Sequence, residues 1–172
     1  PPDPAGADLE ATGNDSRTAL IFACEQGHER CVKALAAAKA DLEAALPSGA
    51  TALILSCQKG HEGCVQALVA AKANVDATKN DGSTALMKAC AKSHELCARV
   101  LIEAGARRDI KNNAGDTVLS LVKKGMAGAH LGVFCDRSGM NPIVGNRFTM
   151  KGYDLCEAEF IKLAADERRI DR

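Results

Sequence analysis

Apolar positions along the chain recur in a fixed pattern. Thr18 to Leu35 reads TALIFACEQGHERCVKAL, Thr51 to Leu68 reads TALILSCQKGHEGCVQAL, and Thr84 to Leu101 reads TALMKACAKSHELCARVL, so each copy starts thirty-three residues after the last. A fourth start, TVLSLVKKG at Thr117, soon fades. A constant period of this length predicts a stacked-repeat architecture. Within the second copy, Leu53, Ser56 and Cys57 fall on one face at three- and four-residue spacing, which predicts a short helix over about Ala52 to Lys59. Cys64, Val65, Leu68 and Val69 form the apolar stripe of a second helix over about Glu62 to Ala71. Helices this short are marginal alone in water. Each pair must therefore bury its stripe against its neighbours, in a core that runs along the stack.

The punctuation repeats too. A polar, Gly-bearing turn precedes each copy: GNDSR at Gly13, PSGA at Pro47, NDGS at Asn80 and NAGD at Asn113. Such residues accept tight turns and positive φ. Thr18, Thr51, Thr84 and Thr117 stand where a hydroxyl can take an orphan N–H of the helix that follows. Gly27 and Gly60 are placed to end that helix in a left-handed cap. Ser93 replaces the glycine in the third copy, at some cost in stability. Ala5 to Ala11, AGADLEA, matches the tail of a repeat and compares with KADLEAA at Lys39 and KANVDAT at Lys72. It predicts a partial leading repeat, and Pro1 in place of Met suggests a piece of a longer chain.

Composition narrows the function classes. Apolar residues are 47% of the 172, enough for a core, and the formal net charge is zero. No global field recruits nucleic acid or an acidic membrane, and no apolar run is long enough to predict a spanning helix. The chain has 8 cysteines, but Cys24, Cys57 and Cys90 share one phase of the period, and Cys31, Cys64 and Cys97 share another. Six of them read as small buried apolar residues rather than a disulfide framework, which suits a reducing, cytoplasmic or nuclear setting. Phosphate-binding glycine loops and a His-Glu-x-x-His helix are both missing. Cys and His recur as repeat copies, not as one nucleophile beside one base, so catalytic residues are not expected.

The copies TALI, TALI, TALM and TVLS, with Gly27-His28, Gly60-His61 and Ser93-His94, resemble the ankyrin repeat over about residues 5–126. The family's Thr-Pro-Leu-His loses its Pro, and its His becomes Ile21, Ile54 and Met87. The resemblance implies a helix-turn-helix solenoid whose turn tips and first helices line a concave face that binds another protein. Carried over by position, the candidate tip residues are Asn14, Asp15, Arg17, Pro47, Ser48, Ala50, Asn80, Asp81, Ser83, Asn113, Ala114 and Asp116. On the first helices they are Glu25, Gln26, Gln58, Lys59, Ala91 and Lys92. Aromatic anchors are scarce there, which favours a small or partly polar footprint. His28, His61 and His94 each precede a Cys by three residues. Two ligands per repeat do not close a tetrahedral zinc site, so these histidines are expected to bind backbone carbonyls at the repeat junctions.

The period stops near Met126, and four of the five aromatics follow: Phe134, Phe148, Tyr153 and Phe160. Short strands are expected at VFC, PIV and RFTM, then a helix after Tyr153. His130-Leu131-Gly132-Val133, Cys135-Asp136, Pro142-Ile143, Arg147-Phe148 and Tyr153-Asp154-Leu155-Cys156 resemble a ZZ-type zinc finger over about residues 130–160. Both Cys-x-x-Cys pairs are broken, at Cys135–Ser138 and at Cys156–Glu159, so a degenerate, zinc-free unit with no metal ligands or cofactor is expected. The resemblance implies that Asp136 and Asp154 would face a peptide terminus.

The sequence thus predicts a mainly α protein with two units: ankyrin repeats over residues 1–126 and a ZZ-like β-rich unit with a terminal helix over 127–172. The expected function is a monomeric, non-enzymatic interaction module that serves as scaffold or targeting region. The alternative is a reader of peptide termini through the second unit. Neither nucleic acid nor membrane is expected as a partner.

Overall fold

The computed structural model describes residues 8–126, together with 149–150 and 153–154. Among the described residues, seven helices form the stack. The first helices of the repeats are α1 (Ala19–Gln26), α3 (Ala52–Lys59), α5 (Ala85–Ala91) and α7 (Val118–Met126). The second helices are α2 (Glu29–Ala37), α4 (Glu62–Ala70) and α6 (Glu95–Glu103). First helices pack on first helices (α1 on α3, α3 on α5, α5 on α7), and α4 packs on both α2 and α6. Each of the three full repeats is therefore a helix-turn-helix unit that leans on the next, as the period predicts. The second helix of the middle repeat ends one residue earlier than the sequence suggests, at Ala70.

Local chemistry explains where each first helix starts and stops. Thr18, Thr51 and Thr84 sit in extended backbone, and their hydroxyls accept from the N–H of Ile21, Ile54 and Met87. The Thr117 hydroxyl accepts from Ser120 N–H at 3.3 Å. Gly27 and Gly60 end α1 and α3 in the left-handed region, at φ of 78° and 81°. Ser93 takes up the same bend in the third repeat, at φ of 59°.

The core is one continuous column. Leu20, Ile21, Val32, Leu53, Ile54, Val65, Leu68, Leu86, Met87 and Leu101 are all fully buried. Ile21, Ile54 and Met87 fill the places where the family pattern has His, so apolar packing stands there in place of a polar tie. None of the described helices is long and apolar enough to cross a membrane.

Two two-residue strands, β1 (Thr149–Met150) and β2 (Tyr153–Asp154), pair antiparallel, with Thr149 opposite Asp154. β1 falls within the expected RFTM strand. The rest of the ZZ-like reading, including Asp136, Cys135 and Cys156, lies outside the described residues.

Candidate functional site

The turn tips are built the same way four times. Leu46 N–H bonds to Ala50 O, Lys79 N–H to Ser83 O, and Asn112 N–H to Asp116 O, each at 3.0 Å. The first tip closes more loosely, Gly13 N–H to Arg17 O at 3.3 Å. Gly49 and Gly82 hold φ near 75°, and a Cβ on Gly49 would stand 2.5 Å from Asn80 Oδ1. That close approach exists because the tips are tied to one another. Asn80 N–H bonds to Ser48 O and its amide Nδ2 to Pro47 O, at 3.0 and 2.9 Å. Asn113 repeats this one step on, to Asp81 O and Asn80 O. Pro47 occupies the same phase in the second repeat and has no N–H to give, so this tie cannot form between the first and second tips.

A second set of ties runs through the loops after the second helices. Glu10 accepts from Asp41 N–H, Glu43 from Asn74 N–H, and Asp76 from Arg107 N–H, at 2.7 to 2.8 Å. A third set joins the helix pairs. His61 Nε2 lies 3.1 Å from Glu25 O, and His94 Nε2 lies 3.2 Å from Gln58 O. A carbonyl only accepts, so both rings carry the proton on Nε2. This is the carbonyl role expected of His28, His61 and His94, met by two of the three; His28 is exposed and makes no such bond among the described residues. Both rings also cover the preceding glycine: a Cβ on Gly27 or Gly60 would stand 2.7 Å from the Nδ1 of His61 or His94. The next residue in that phase is Ala127, so the fourth copy carries no His at the place of His61 and His94.

Tips and first helices form one surface. Arg17 Nε is 2.9 Å from Glu25 Oε2, and Arg17 also pairs with Asp15. Lys88 Nζ on α5 is 3.2 Å from Asp81 Oδ2 at the tip. The Asp81 carboxyl is held down to about 2, first by the Ser83 N–H, then by the Ser83 hydroxyl and by Lys88. Asn14, Asp15, Gln26, Lys59, Asn80, Asp81 and Lys92 are exposed, while Arg17, Glu25, Gln58 and Asp116 are half-buried.

Two expected residues are withdrawn from this surface. Ser83 and Ala50 are buried, although Arg17 and Asp116 in the same phase are only half-buried. Asn80 and Asn113 are exposed, but their amides are committed to the neighbouring tips.

Two surface residues escape the sequence reading. Phe22 is 54% exposed and shares a helical stripe with Glu25 and Gln26, so the face does carry an aromatic anchor. Lys88 stands in the same phase as Phe22, Leu55 and Leu121. The signal was present: an apolar row that one lysine breaks.

Four of the six repeat cysteines behave as packing residues as expected, but Cys31 is exposed, since among the described residues no second helix precedes α2 to cover it, and Cys90 is half-buried. Cys24, Cys57, Cys64 and Cys97 are buried. Burial pushes the Cys24 and Cys90 thiols up to about 12 and Cys97 to about 11, and raises Cys57 well above the usual thiol range. Such thiols are poor nucleophiles at neutral pH. Among the described residues, no three His, Cys, Asp or Glu side chains gather to hold a metal ion.

No curated protein matches the chain. A family model described as ankyrin repeats in three copies matches residues 4–79 and 62–127. Ankyrin repeats generally mediate protein–protein interaction and are typically non-enzymatic. With capped helix pairs, left-handed glycines and tied tips at one period, the chain belongs to the ankyrin-repeat family.

Proposed function

We propose that the chain binds a partner protein on the surface made by its turn tips and first helices, acting as a scaffold or targeting module. One observation supports this most. The residues that differ from copy to copy and stay exposed, such as Gln26, Lys59 and Lys92, fall on one continuous surface. Ion pairs from tip to helix, Arg17 with Glu25 and Asp81 with Lys88, hold that surface together.

The test replaces Gln26, Lys59 and Lys92 together with Ala and compares capture of proteins from native extract. All three are exposed, so the fold should stand. A partner held by the wild type and lost by the variant supports the reading; a partner held equally by both sinks it.

A further inference from the structure

Charge is uneven along this surface. In the first repeat Arg17 is shared by Asp15 and Glu25, so acids outnumber the base. Lys59 in the second repeat and Lys92 in the third are exposed and make no ion pair among the described residues. In the third repeat one carboxylate, Asp81, faces two ammonium groups, Lys88 at 3.2 Å and Lys79 at 3.7 Å. Positive charge is left over in the second and third repeats. Apolar surface is left over beside it, at the exposed ring of Phe22.

The stack sets the spacing of these groups. Phe22 and Lys59 come from α1 and α3, and Lys92 caps the end of α5; the three helices pack in that order. Packed helices lie about 8–10 Å apart, which separates Lys59 from Lys92; Phe22 sits one turn earlier in its helix than Lys59 does, so those two stand about 10–12 Å apart. An extended chain advances about 3.3 Å per residue. Every third or fourth residue of such a chain would meet the next repeat.

We infer that the partner presents an extended acidic segment to this surface. Its apolar side chain rests on Phe22, and acidic residues three or four positions apart pair with Lys59 and then Lys92. Lys88, shared with Asp81, adds positive potential one turn before Lys92. This rests on the reading of the surface as the partner-binding site. Exposed ion pairs are individually weak, so their role is orientation and salt-sensitive association. The aromatic contact supplies the dry centre.

The test pans short random peptides displayed on phage against the full chain at about 50 mM and about 300 mM salt, where screening lengths differ by more than twofold. The expected enriched pattern is one apolar residue followed by acids at three- or four-residue spacing, in either chain direction. A synthetic copy of the enriched peptide is then titrated by fluorescence anisotropy. Its affinity should fall about tenfold in Lys59→Glu/Lys92→Glu, and about fivefold in Phe22→Ala. Circular dichroism should be unchanged in both variants.

Enriched peptides without acids that still lose affinity on Gln26→Ala/Lys59→Ala/Lys92→Ala overturn the acidic segment but leave the surface as the site. Peptides indifferent to every substitution overturn both. A library with no enriched sequence overturns the segment. So does a short oligothymidylate that binds as tightly as the peptide, because the surface would then read charge alone.

Discussion

Gly60→Ala brings two separate costs together. Gly60 sits at φ of 81°. A residue with a Cβ loses about 1 kcal/mol in that left-handed region. The new methyl would also stand 2.7 Å from His94 Nδ1 and 2.8 Å from its Cε1. The ring must move, and the 3.2 Å bond from its Nε2–H to Gln58 O goes with it. A net hydrogen bond contributes about 1 kcal/mol, and leaving its acceptor unpaired adds about as much again. The expected loss is about 2–3 kcal/mol in all. Urea unfolding followed by far-UV circular dichroism reads it as a lower midpoint at unchanged slope. Repeating the substitution in a His94→Ala background isolates the ring: there only the left-handed cost of about 1 kcal/mol should remain. Ser93→Gly is the complement. Ser93 holds the same bend at φ of 59° and should gain about 0.5–1 kcal/mol on becoming glycine. Equal losses for Gly60→Ala in both backgrounds would refute the claim that the His94 ring demands glycine at this position.

Three further outcomes are expected. Thr51→Ala removes the buried hydroxyl that accepts from Ile54 N–H and should lower stability by about 1 kcal/mol, read by the same unfolding titration. Brief maleimide treatment of the native protein, mapped by mass spectrometry, should label exposed Cys31 well before Cys24, Cys57, Cys64 and Cys97; early labelling of Cys57 would contradict its place in the core. Asp81→Asn should lower stability by about half a kcal/mol, because exposed ion pairs are screened. Its carboxyl is held at about 2 when folded against 3.8 ordinarily. The wild-type advantage is therefore full above about pH 4 and is lost as pH falls through about 2; an advantage independent of pH would refute the assignment.

The fold was largely legible because the period states every local rule several times over. Thr at the cap, Gly at the bend and the apolar stripes each recur, and the structure places them as read. The carbonyl role of His61 and His94 was legible too, since a two-ligand repeat leaves no better partner. The candidate surface was harder. Ser83 looks like a free tip residue in sequence, but the fold buries it. Asn80 looks available, but its amide reaches a carbonyl thirty-three residues back. Such ties depend on how neighbouring tips stack, which no single repeat encodes. Phe22 was hidden by the opposite fault: it was read as one more apolar residue of a helix, although the matching Leu55 is buried by neighbours on both sides. Asp136 lies outside the described residues, so the peptide-terminus alternative rests on sequence alone.

Pro47 gives the stack an uneven mechanical profile. Between the second and third repeats, and between the third and fourth, a pulling force must shear two tip hydrogen bonds along with the helix packing. Between the first and second, the proline offers none at the tip, and the bonds from His61 to Glu25 and from Asn74 to Glu43 hold the seam instead. Stretched from its two ends, the chain should part first at the tips of that seam. The first and second tips would separate while the rest of the stack keeps its length. Single-molecule extension would record this as one low-force step ahead of the taller ones.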